Sequence, residues 1–168
     1  MKDISRRKAL SLFGSGLAIS ISPALASAAA SGRADFDVSF AERNEARAVA
    51  EQILAQLDEL ATSSVVDLDE IYKSGGDALK GRYSSKQFAS RIRSVRIPLT
   101  TLASRKLYTV SGGFRNLPNL PTGRYVIVMF DAMFSDKKMK SEEVTLEQKS
   151  HGSDWTFVEY YVGPKGVG

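Results

Sequence analysis

The chain contains no cysteine. That absence excludes disulfides, thiolate metal ligands and a lipid-acceptor cysteine, so the fold must be held by burial alone. It contains a single histidine, His151, and with no thiolate beside it a zinc site lacks its usual ligands. His151 stands in Ser150-His151-Gly152-Ser153-Asp154, a turn composition between two strand-like runs. Adjacent turn residues do not converge on a reacting atom, so this is not a serine-histidine-aspartate constellation. Gly75-Gly76 and Gly112-Gly113 lack both the Lys-Ser/Thr of a phosphate loop and the spacing of a dinucleotide loop, and read as turns or a bulge. Asp67-Leu68-Asp69-Glu70 lacks the alternating oxygen ligands, central Gly and distal Glu of a calcium loop. It reads instead as the acidic start of a helix. No catalytic residue, metal ligand or cofactor motif is predicted. After Ala30 no stretch is long and apolar enough to cross a bilayer.

The first residues have the three parts of a secretory signal. Lys2, Arg6, Arg7 and Lys8 form a basic region, and Ala9 to Ile21 an apolar stretch diluted by Ser and Gly. Ala24 and Ala26 form a small-x-small pattern, so residues 1–26 are expected to be removed, with a second usable register at Ala28. Ser5-Arg6-Arg7-Lys8-Ala9-Leu10 resembles a twin-arginine signal, with Ala9 where Phe is usual; an ordinary general-secretion signal stays open. The expected location is the periplasm or the exterior, with no stable membrane insertion after cleavage. Lys2, Arg6, Arg7 and Lys8 are four of the 23 basic residues and Asp3 is one of the 19 acids. The remaining chain therefore holds 19 against 18, a net charge of +1. That balance argues against a nucleic-acid partner, for which a strongly basic domain is wanted.

Residues 27–39 are small and polar and read as a flexible leader, followed by a single α+β domain over 40–163 and a short tail, 164–168. Ala46, Val49, Ile53, Leu57 and Leu60 recur at helical steps, predicting a helix from about Phe40 to Ala61. Asp67 to Tyr72 reads as a short helix stopped at Gly75-Gly76. A third helix starts at Ser84 or Ser85 with Phe88, Ile92 and Val95 as its apolar stripe, and one further turn is allowed through Leu102. Period-two patterning then predicts strands over 105–114, 124–134, 140–149 and 155–162. Helices followed by a four-strand meander predict an antiparallel sheet with the helices on one face.

The half from Val95 onward resembles a family of exported bacterial proteins, domain of unknown function family 4019. The resemblance is carried by Arg96-x-Pro98-Leu99, Arg105-x-Leu107, Leu117-Pro118 and Pro121-x-Gly123-x-Tyr125-Val126. Phe130, Phe134, Lys137-Lys138, Glu143-Val144-Thr145, Gly152, Trp155 and Tyr160 follow in step. Thr100 stands where the family tends to have Gly, and Ser153-Asp154 lengthen the final turn. The resemblance implies export and a curved sheet similar to cystatin-like or nuclear-transport-factor-like cones; it implies no reaction and no catalytic residues.

Two features bear on function. Between Asp77 and Asp131 there is no acid and there are ten basic residues, whereas 35–77 holds eleven acids against Arg43, Arg47 and Lys73. Either these charges pair within the fold, or Lys86, Arg91, Arg93 and Arg96 present a basic helix to an acidic partner, phosphorylated ligand or anionic headgroup. Lys86, Arg93 and Arg96 are expected to point away from Phe88 and Ile92. The second feature is the run Arg124 to Phe134. Its even positions are apolar, but so are Tyr125, Ile127, Met129 and Met133, interrupted by Asp131. Either both faces are covered, or the second lines a pocket or a homodimer contact, with Asp131 the carboxylate to test for a raised pKa. The two function classes are a non-catalytic binding or accessory module for an envelope protein or a small anionic or apolar ligand, and a small hydrolase- or isomerase-type pocket enzyme with Asp131 as base.

Overall fold

A computed structural model describes residues 34–60 and 66–165; Arg6, Arg7, Ala24, Ala26 and the rest of the expected targeting segment lie outside the described residues. Helix α1 spans Phe40–Glu59 and opens on a capping box, in which Ser39 accepts from the Glu42 N–H and Glu42 accepts from the Ser39 N–H. Its buried stripe is Ala46, Ala50, Ile53, Leu54 and Leu57, with Val49 and Leu60 packed at its margin. Helix α2, Leu68–Ser74, is capped by Asp67, whose carboxylate accepts from the N–H groups of Asp69 and Glu70. Helix α3, Asp77–Arg82, is not anticipated by periodicity, being too short to display one. Helix α4, Ser85–Arg96, opens on a second capping box, Ser84 with Gln87.

Strands β1 (Leu102–Val110), β2 (Arg124–Phe134), β3 (Met139–Gln148) and β4 (Thr156–Pro164) form one antiparallel meander in the order β1-β2-β3-β4. The first strand begins and ends earlier than its expected span. Gly113 and Phe114 leave the ladder and make isolated bridges to Phe36 and Tyr125. At Gly113 the Phe36 ring lies where a Cβ would stand, 2.1 Å away, so this approach requires glycine.

That contact corrects the reading of a flexible leader for 34–39 alone, residues 27–33 lying outside the described residues. Residues 34–39 are docked: Asp35 N–H donates to the Gly113 carbonyl, and the Asp35 carboxylate accepts from Arg115 N–H. Phe36 lies under the Arg124 guanidinium, 4.1 Å from its ring centre, and Val38 is buried.

The sheet is covered on both faces, unequally. Helices α1, α2 and α4 pack on Val126, Val128, Phe130, Val144, Leu146, Phe157 and Tyr160. On the opposite face the segment 111–123 folds back over one half, setting Phe114 and Leu117 against Tyr125, Ile127 and Val158. This is why β2 lacks clean alternation. Each fully buried Leu, Ile or Phe of these clusters contributes about 1.5–3 kcal/mol.

Candidate functional site

Under the helices the sheet carries a polar cluster. β3 alternates Val144 and Leu146 inward, and the same phase sends Glu142 inward, where it is completely buried opposite Phe130. Arg96 reaches it from the last turn of α4 and Arg105 from β1, donating to its two oxygens at 2.6 Å each. The Tyr160 hydroxyl donates to Glu142 at 2.7 Å. Arg96 also donates to Asp58, while Arg105 grips both Asp58 oxygens at 2.7 and 2.9 Å. Arg96 Nε donates to the carbonyl of Leu57, in the last turn of α1, where a cation suits the partial negative charge of the helix end. Burial and the neighbouring Glu142 push the Tyr160 hydroxyl far above its ordinary pKa, so it stays a donor. Two cations and two carboxylates balance, and the groups are engaged with one another. The cluster works as a clamp joining α1, α4, β1, β3 and β4.

The sequence expectation that Arg96 faces solvent is corrected here, since the residue is 1% exposed. Phe88, Ile92 and Arg96 are spaced by four, so they form one stripe, and the spacing itself contained the signal. Lys86 and Arg93 are exposed on α4. Arg91 is paired with Glu159 at 2.8 Å, and Arg82 holds the other oxygen of the same carboxylate. Arg124 pairs with Glu42, as does His151 at 3.5 Å. The basic segment thus finds its acids on α1 and equally on β3 and β4. Beside the clamp a groove of about 470 Å³, lined by Arg47, Glu51, Arg105, Lys106, Leu107 and Phe130, opens to solvent. Arg47 there is bound to Glu51 and Arg105 to the clamp, and Lys106 has no ion-pair partner among the described residues.

Met129 packs at the margin of the cluster covered by 111–123, and from its row onward the second face is a different environment. Register places Thr109, Met129, Glu143 and Tyr161 in one row across the four strands, and Lys106, Asp131, Ser141 and Gly163 in the next. Met133 lies beyond, opposite Met139. Tyr125 is buried at the covered end; its hydroxyl donates to the Pro121 carbonyl at 2.8 Å, and burial pushes its pKa up to about 12. Asp131 is half-buried and holds Lys165 at 2.6 Å. In the adjacent row Glu143 is 4% exposed, and burial raises its pKa, with the Ser141 hydroxyl partly offsetting the shift and no ion-pair partner among the described residues. Glu147, on the same face, is raised by burial as well, but it accepts the Ala78 N–H at 3.0 Å and so caps α3, whose own N-cap, Gly76, has no side chain.

Among the described residues, no group of three or more His, Cys, Asp or Glu is placed to hold a metal ion, and no helix is long and apolar enough to cross a membrane. No curated protein and no solved structure matches the chain. A family model does match, over residues 49–160, a span that runs from α1 to Tyr160 and includes the whole clamp as well as Glu143. The chain belongs to that family, described as "Protein of unknown function (DUF4019)".

Proposed function

We propose that the protein is an exported accessory module that holds a partner on the open half of its second sheet face. The observation that carries this reading is Glu143, a buried carboxylate with no cation paired to it among the described residues, set between Met129 and Tyr161. A face meant only for water has no reason to bury a carboxylate in this way, because desolvating it is costly. A partner that brings an apolar surface and a hydrogen-bond donor completes the arrangement. Met129 and Met133, with flexible and polarizable side chains, suit adaptable contact. A pocket enzyme with Asp131 as its base gains less support, since that carboxylate is held by Lys165.

The position of the helices, together with register shifts in β1 and β4, supports a curved sheet of the cystatin-like or nuclear-transport-factor-like kind. Export to the periplasm is supported by the basic, apolar and small-x-small order of residues 1–26. Arg6→Lys with Arg7→Lys should abolish export by the twin-arginine route; unchanged export removes that part of the reading. The binding reading is tested by native mass spectrometry of protein recovered without denaturation, beside Met129→Glu. Added mass or a second copy on the wild type, lost from the variant, is the expected result. A bare monomer in both samples overturns it.

A further inference from the structure

We propose that the end of the domain formed by the β2–β3 turn and the α4–β1 connection docks on an anionic lipid surface. The two segments are held side by side: Ser135 N–H donates to the Thr101 carbonyl at 2.9 Å, and Asp136 N–H to the Thr100 hydroxyl at 3.4 Å. Arg93 in the last turn of α4 and Lys137, Lys138 and Lys140 on the turn belong to these segments, whose own acid is Asp136, met by Lys138 only at 3.8 Å. Lys165 and Asp131 cancel each other nearby. Among the described residues four large apolar side chains are conspicuously exposed, and two of them, Ile97 at 60% and Met139 at 41%, belong to this end. Arg93 and Ile97 are four residues apart at the end of α4 and so share one side of it.

Lys137 adds an independent indication. It sits at the tip of the turn with φ 61°, a left-handed conformation that Gly or Asn adopts with less strain. Strained backbone retained at an exposed tip points to a use for the side chain placed there. Grooves of about 470, 280, 390 and 270 Å³ open elsewhere on the domain, and none of these four is lined by the residues of the tip. A tip away from these grooves, with several cations and two isolated apolar side chains, fits a fluid surface that conforms to it better than a shaped protein partner. Apolar side chains entering the headgroup region beside lysines are the pattern of peripheral attachment. The tip adjoins the open half of the second face, since Met139 stands opposite Met133 in register, but the lysines of the turn and Ile97 take no part in the sheet-face reading.

The experiment is co-sedimentation of the full chain with vesicles of phosphatidylcholine alone and of phosphatidylcholine mixed with phosphatidylglycerol. Three net positive charges near an anionic surface strengthen partitioning on the order of 100-fold, and salt weakens it. Residues 1–26 are themselves basic and apolar, so the readout is the difference between variants that share them. Lys137→Glu with Lys140→Glu should lose that 100-fold, Ile97→Ser with Met139→Ser should lose a smaller factor, and thermal unfolding should stay close to wild type. Lys137→Gly with Lys140→Ser removes the charges while relaxing the turn, which keeps the test valid where reversal disturbs folding. Lys73→Glu with Lys86→Glu makes the same change in net charge elsewhere and should leave binding intact. Equal loss in that control, undiminished binding by both tip variants, or binding to a soluble acidic polymer but to neither vesicle overturns the proposal.

Discussion

Replacing Arg96 by Met keeps most of the apolar stem and removes the guanidinium from the clamp. Glu142, with no exposed surface, is then left with Arg105 and the Tyr160 hydroxyl, and the Leu57 carbonyl loses a donor. Removing one partner of a buried ion pair costs about 3–5 kcal/mol, because the other charge stays desolvated. For a domain of this size that is a fall in Tm of about 10–20 °C. In urea it is a fall in midpoint of about 1.5–2.5 M at an m-value near ~2 kcal/mol/M. The informative comparison is with the double variant, Arg96→Met with Glu142→Leu. It removes cation and anion together, and Arg105 can still bind Asp58 at the partly exposed edge. It should be less destabilised than the sum of the two singles by about 2 kcal/mol or more. Chemical denaturation of the four proteins measures that coupling. If Arg96→Met costs less than about 1 kcal/mol, or the two changes add within about 0.5 kcal/mol, the clamp reasoning fails.

Glu143→Gln should stabilise the protein near neutral pH. Burial raises the folded pKa above the ordinary 4.5, so the folded state holds its proton longer, and the wild type loses stability as pH rises through the window above 4.5. The variant's advantage should vanish in melts below about pH 4, and a constant difference at all pH values would contradict burial as the cause. Gly76→Ala should cost about 1–3 kcal/mol, because its Cβ would stand 1.8 Å from the Glu147 carboxylate that caps α3. Added to Glu147→Ala the same change should cost much less, which equilibrium denaturation reads directly. Phe36→Ala should lose about 1–3 kcal/mol by releasing the docked 34–39 segment from Arg124 and Gly113.

The helices and strands with enough residues to show a period were legible. Capping at Ser84, the apolar stripe of α1 and the full extent of β2 all follow from spacing and cap chemistry. What was not legible had two causes. Helix α3 has six residues and follows two glycines, so neither its period nor its cap is local; the cap comes from Glu147, 69 positions away from the Ala78 N–H it accepts. The docking of 34–39 likewise depends on the room left by Gly113, which has no signature in a small polar segment. Arg96 is a different matter. Its place on the Phe88–Ile92 stripe follows from the spacing, although long charged side chains are ordinarily exposed. Glu142 repeats the lesson on a strand, since it is in phase with Val144 and Leu146.

The same point decides what the basic segment is for. A run of ten cations without an acid invites the reading of a docking face, yet its members are largely consumed inside the fold. Arg96 and Arg105 go to the clamp, Arg82 and Arg91 to Glu159, Arg124 to Glu42, and Arg115 lies by Phe36. These pairs bring the acid-rich first helix and the acids of β3 and β4 to the chain between them, so the segregation in sequence is the linear trace of contacts between elements. A cation so engaged contributes little field to a partner, because its own carboxylate lies within hydrogen-bonding distance. The charges able to act outward are those the fold leaves unmatched, and Lys137 and Lys140 lie outside the basic segment altogether. Charge density along a chain therefore marks where this domain holds itself together, and charge left over after folding marks where it can meet something else.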